Sequence, residues 1–145
     1  MQFTIASKVA FEGVGLHSGK RAKMVVHPAE ANFGIWFLRG DEKQRNSLIR
    51  ASYINVVDKP LCTRLINEDG VSVSTVEHVM AALAGCGVQN AIVELDTEEV
   101  PILDGCAENF VKEILRVGLK TLEVKQLALE ILETIEVKHN DAEVS

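Results

Sequence analysis

Val71-Ser72-Val73-Ser74-Thr75-Val76-Glu77-His78-Val79-Met80-Ala81-Ala82-Leu83-Ala84-Gly85 is where the hydrophobic period of this chain changes. Before it, Leu65-Ile66 and Val71-Ser72-Val73 flank Asn67-Glu68-Asp69-Gly70. That pattern predicts a hairpin loop in which Gly70 is free to take positive φ. From Ser74 or Thr75 onward, Val76, Val79, Met80 and Leu83 fall at i, i+3, i+4 and i+7. This is one apolar face of a helix that stops at Gly85.

Towards the N-terminus the chain reads as strands. Phe3, Ile5, Val9 and Phe11 occupy odd positions, the period of a half-buried strand, blurred by Ala6 and Ser7. Gly13, Gly15 and Gly19 punctuate a turn. Met24-Val25-Val26, Ile35-Trp36-Phe37-Leu38 and Tyr53-Ile54-Asn55-Val56-Val57 are β-favouring runs. Towards the C-terminus, Ala91 to Leu95 predicts a strand. A second helix runs from about Ala107 to Arg116, with Phe110, Ile114 and Leu115 inward and Gly118 as its stop. Strands followed by segregated helices define an α+β class: a two-layer sandwich with a mixed β-sheet packed against two helices. The tail fits two patterns. Leu127, Leu129 and Ile131 alternate like a strand, yet Val124, Leu127, Ala128, Ile131, Leu132 and Ile135 fit one helical face.

The bulk numbers narrow the function. The 145 residues suit one domain, and 47% apolar with 25% charged residues is ordinary for a soluble protein. Net charge is -6. Lys20, Arg21 and Lys23 form the densest basic stretch, so no nucleic-acid partner is expected. No apolar run approaches the roughly 18 residues of a membrane span, and no signal peptide is expected. The cysteines, Cys62, Cys86 and Cys106, are odd in number and lack CxxC spacing, which argues for reduced thiols in a cytoplasm.

Several motifs carry two readings. Gly13-Val14-Gly15-Leu16-His17-Ser18-Gly19-Lys20-Arg21 invites a nucleotide loop but fails it. A P-loop needs glycine at position 14 and Ser or Thr at 21, and the dinucleotide fingerprint needs its third glycine one residue earlier. A plain glycine turn bearing His17 remains. Ser74 and Glu77 have the spacing of a capping box. Alternatively, at about 100° per residue His78 lies opposite the apolar face, with Ala81, Ala82 and Gly85. Small residues there suggest a close-packing partner, and an imidazole beside a carboxylate could supply a metal ligand and a general base. HExxH is absent because Ala82 stands four residues after His78. His17, His27 and His139 lack ligand-like spacing to His78. Asp104, in Pro101-Ile102-Leu103-Asp104-Gly105-Cys106, reads as an N-cap or turn aspartate, and Cys62 as a small buried hydrophobe.

Together, Gly13 to Gly19, Leu61-Cys62-Thr63, Ser74 to His78, Ala81 to Gly85 and Pro101 to Gly105 resemble the UDP-3-O-acyl-N-acetylglucosamine deacetylases of lipid A synthesis, in order and in spacing. The resemblance implies a cytoplasmic, Gram-negative, zinc-dependent amide hydrolase with two α+β domains and an active site between them. It implies His78 as a zinc ligand and Glu77 as the general base. His17, Leu61, Cys62 and Thr63 would lie near the UDP-linked acylated glucosamine substrate, and Asp104 in a loop beside the site. Residues 1–120 would be the first domain, and 121–145 a linker with the first strands of a truncated second domain. On this resemblance the tail is strand. The remaining zinc ligands, a His and an Asp, belong to that second domain in the family, and His139 with Asp141 does not match them. The chain alone is therefore expected to be inactive, and to self-associate where the full enzyme is a monomer. Cys106 replaces the family's usual serine. The alternative is a non-catalytic interaction domain that keeps the fold and docks through Ala81, Ala82 and Gly85.

Overall fold

A computed structural model describes residues 1–145. In chain order the strands are β1 (Gln2–Ile5), β2 (Val9–Val14), β3 (Arg21–Pro28), β4 (Ile35–Arg39), β5 (Leu48–Arg50), β6 (Val56–Val57), β7 (Arg64–Ile66), β8 (Ser72–Ser74), β9 (Ala91–Leu95), β10 (Leu119–Leu122), β11 (Val137–His139) and β12 (Ala142–Val144). Helix α1 (Glu77–Gly85) follows β8 and helix α2 (Glu108–Val117) follows β9. The central sheet has five strands in the order β2-β3-β9-β4-β5. It is mixed: β4 and β9 run parallel and every other neighbouring pair antiparallel. The two helices pack on one face of this sheet, giving a two-layer α+β sandwich. Met24, Val26, Phe37 and Val93 from the sheet meet Val79, Leu83, Phe110 and Ile114 from the helices, all at most 1% exposed. Phe11 and Phe110 tie the layers together, their ring centroids 5.0 Å apart at 55°, within the favoured tilted range.

The predicted hairpin forms. β7 and β8 pair antiparallel, and Gly70 has φ 76°. Helix α2 ends as expected at Gly118, which has φ 82° and whose N–H donates to Leu115 O at 3.1 Å. Its inward face is different by one residue: Leu115 is 55% exposed, while Val111 and Val117 pack against the core.

Four further expectations change. The N-terminal alternation is not one strand. The chain breaks after Ile5, so β1 pairs with β10 in a separate sheet while β2 enters the central one. On β1, Ile5 is buried as expected, but Gln2 and Thr4 are buried as well and Phe3 only partly. Their polar atoms are satisfied. Gln2 Oε1 accepts from Asn32 N (2.8 Å) and Asn90 Nδ2 (3.0 Å), and Thr4 Oγ1 accepts from Ala29 N (3.0 Å). Tyr53–Asn55 is a 3-10 turn rather than strand, with Tyr53 and Ile54 turned to solvent. Ala82 is fully buried, so it belongs to the core and not to a docking face; Ala81, Ala84 and Gly85 are exposed. In the tail, no strand begins at Leu127. Regular structure resumes only with the β11–β12 hairpin, and Leu127, Leu129 and Ile131 are exposed because no sheet lies beside them.

Candidate functional site

The site is built where β8 hands over to α1. Ser74 ends β8 and α1 starts at Glu77. Thr75 between them has φ 60°, which a β-branched residue adopts only under constraint. The expected capping box is absent. Val76 is the N-cap, no side chain caps the helix, and Ser74 Oγ donates to Glu98 O at 3.2 Å. Glu77 turns instead to the residue just before β7, where its Oε2 accepts from Thr63 N at 3.1 Å. Thr63 O in turn accepts from Thr75 N at 2.9 Å. Thr63 therefore holds both ends of the Thr75–Glu77 turn. His78 follows on the first turn of α1, and its Nδ1 is buried without a hydrogen-bond partner. A buried orphan nitrogen in a native fold calls for a ligand, an ion or a functional cause.

Glu99 is the residue that sequence reading missed. It is 1% exposed, yet no cation pairs with it. Its oxygens accept from His17 N (2.9 Å), Ser18 N (2.8 Å) and Thr75 Oγ1 (2.9 Å). Burial pushes its pKa up, but the Ser18 side chain, the His17 and Ser18 backbone N–H groups and the Thr75 hydroxyl outweigh that and hold it down at about 2. The glycine turn makes room for this carboxylate. A Cβ on Gly15 would lie 2.3 Å from Glu99 Oε2. Backbone N–H groups of successive residues aimed at an anion are the one signal that could have pointed here, but the anion lies 82 residues further on.

The other predicted residues are distributed around this junction. Leu61 is 90% exposed with φ 68°, and Cys62 is half-buried, both on the approach to Thr63. His17 is exposed, tied to the site through Glu99. It lines a polar cavity of about 230 Å³ with Lys59, Arg64 and Glu98. A second cavity, about 310 Å³ and mostly apolar, runs beside Glu77 and Thr63 under Tyr53, Val56, Val76 and Met80. Asp104 stands apart. Its loop is pinned to β2, where Ile102 N donates to Val14 O at 2.9 Å, but its carboxylate accepts only within its own turn, from Cys106 N at 3.3 Å. Asp104 is thus the turn aspartate and not an N-cap, since Ala107 caps α2.

No three His, Cys, Asp or Glu side chains converge to enclose a metal ion. His78, with an unpartnered ring nitrogen and an adjacent carboxylate, fits as one ligand of a shared centre rather than as part of a closed one. No helix is long and apolar enough to cross a membrane.

Fold and site together define an α+β domain that carries a carboxylate and an imidazole on consecutive residues at a helix start. The chain belongs to the UDP-3-O-acyl N-acetylglycosamine deacetylase family, whose model matches residues 2–145. It is 41% identical over 140 residues to the UDP-3-O-acyl-N-acetylglucosamine deacetylase of Photobacterium profundum, covering 97% of this chain and 46% of that protein. With the protein of the same name from Pseudoalteromonas atlantica it shares 43% over 141 residues, again 97% and 46% of the two chains. The chain spans about half the length of the curated relatives it matches.

Proposed function

We propose that this chain supplies the general base, Glu77, and one zinc ligand, His78, for hydrolysis of the N-acetyl group of a UDP-3-O-acyl-N-acetylglucosamine in lipid A biosynthesis. The observation that carries the reading is the pairing of a backbone-anchored Glu77 with a His78 whose Nδ1 is buried and unpartnered. Zinc, when bound, supplies Lewis acidity that polarises the amide carbonyl and lowers the pKa of an attacking water. Glu77 takes one proton from that water as it attacks the carbonyl carbon. The C–N bond then breaks, and Glu77 returns the proton to the leaving amine, giving acetate and a free amino sugar. The Thr63 N–H fixes one carboxylate oxygen and leaves the other for the proton. The apolar cavity beside Glu77 suits the hydrocarbon of an acylated substrate. Leu61, Cys62, His17 and Asp104 are assigned to the substrate by the motifs they share with the family; Leu61 and Cys62 lead into Thr63 at the apolar cavity, while His17 lines the polar one. No second or third ligand stands beside His78 among these residues. Three free thiols fit a cytoplasmic setting.

Zinc titrated into the metal-free chain by calorimetry tests the ligand. Weak binding that disappears in His78→Ala is expected. Tight stoichiometric binding indifferent to His78→Ala would overturn the assignment. For the base, Glu77→Gln in this chain fused to the second half of one of its relatives should cut kcat by roughly 10²-fold or more. Undiminished turnover would remove Glu77 from the mechanism.

A further inference from the structure

We propose that Glu99 is a positioning residue for the Glu77–His78 pair: it clamps Thr75 in its left-handed conformation and ties it to the His17 turn, so setting the direction in which α1 presents both side chains. This rests on the reading of Glu77 and His78 above and adds a group that touches neither.

Three observations converge on it. First, a charged side chain that is 1% exposed is costly to bury, and an apolar residue would fill the same space without that cost. What the carboxylate adds is acceptors, and both of its oxygens are engaged, by His17, Ser18 and Thr75. Second, Thr75 at φ 60° is a strained conformation for a β-branched residue, and it persists only where the surroundings over-determine it. Its two polar anchors are Thr63 O, through its N–H, and Glu99 Oε1, through its hydroxyl. Third, the backbone around Glu99 is laid against β8. Ser74 N donates to Glu98 O at 3.0 Å, Val100 N donates to Ser74 O at 3.1 Å, and Ser74 bridges Glu99 in parallel. The Glu99 side chain therefore reaches Thr75 from a fixed base. Two residues beyond Thr75, Glu77 bonds back to the same Thr63 that holds Thr75. If Thr75 relaxes to negative φ, α1 departs in another direction and Glu77 loses Thr63.

The Thr63 and Thr75 amides therefore report on the clamp. Hydrogen exchange followed by NMR on Glu99→Gln reads it directly, with Val93 in the central strand as the reference for global opening. Gln keeps the shape but puts donors where acceptors are needed. The expected result is a loss of protection at Thr63 and Thr75 at least about tenfold greater than at Val93. Adding Thr75→Gly, which is unstrained at positive φ, should restore most of the Thr63 protection. A merely structural Glu99 would lower Thr63 and Val93 together and gain nothing from Thr75→Gly; that result overturns the proposal, as does unchanged Thr63 protection. Should Glu99→Gln fail to fold, Thr75→Val decides the question. It removes one hydroxyl from the carboxylate and leaves the shape intact, and the same selective loss at Thr63 is required. The functional reading fails separately, through Glu77→Gln turnover, without altering the exchange result.

Discussion

Gly15 and Glu99 are coupled by space. A side chain at position 15 would meet both Glu99 Oε2 and Ser18 Oγ at 2.3 Å, and neither atom can retreat without giving up a hydrogen bond. Gly15→Ala should therefore destabilise by about 1–3 kcal/mol, the usual cost of overpacking, measured by urea unfolding. Gly19→Ala makes a contrast: nothing lies within 4 Å of its Cβ, and the whole cost comes from φ 64°. The Glu99 carboxylate also sets an acid limit. Its folded pKa of about 2 lies below the ordinary 4.5, so the folded state favours the charged form. That contribution is complete above pH about 4.5 and is lost as pH falls towards 2. It amounts to something on the order of 3 kcal/mol. Wild type and Glu99→Gln should thus differ most near neutrality and converge near pH 2 in urea melts. A gap that stays constant across that range would exclude a charged Glu99 clamp.

At the scale of the elements, α2 shows how one residue of helical phase decides burial. Phe110 is fully buried against Phe11, so Phe110→Ala should cost roughly 3–5 kcal/mol. Leu115→Ala, on the solvent side, should fall within about 0.5 kcal/mol of wild type. Thermal unfolding of the pair checks both. On α1, Ala82→Glu should prevent folding, because it buries an unpaired charge, while Ala81→Glu should be tolerated. If circular dichroism showed Ala82→Glu folded and Ala81→Glu unfolded, the helix would have to be rotated. Sequence periodicity located this helix and its end at Gly85. It could not locate the start, because Ser74, Thr75 and Glu77 satisfy the local capping pattern as well as they satisfy the true arrangement. Strand β8 won because Ser74 pairs with the Glu98–Val100 segment, and that partner is invisible to a local pattern.

For the whole molecule, the exposed tail is the conspicuous feature. Leu127, Leu129, Ile131, Leu132 and Ile135 are each at least 61% exposed, and contiguous apolar surface recruits neighbours. Sedimentation should show concentration-dependent self-association. A chain ending at Lys125 should lose it and keep the fold, since β10 still pairs with β1 and Val124 O still accepts from Gln2 N at 2.9 Å. A monomer at every concentration would contradict the first part, and loss of the native circular dichroism spectrum the second. Read alone, the sequence determined the runs of β3, β4 and β9 in the central sheet but not β5, together with the Asn67–Gly70 hairpin, both helices and their glycine-marked ends. It also picked out the residue pair, Glu77 and His78, on which the proposed chemistry rests. These are local signals, carried by periods of two and 3.6 residues and by backbone freedom at glycine. Tertiary structure alone decided that Thr63 anchors Glu77, that Ala82 is core, and that Glu99 joins the His17 turn to Thr75. Those contacts span 14 to 82 residues of chain. A hydrogen bond between distant segments leaves no period in the sequence, because its geometry exists only once the sheet has brought both strands together.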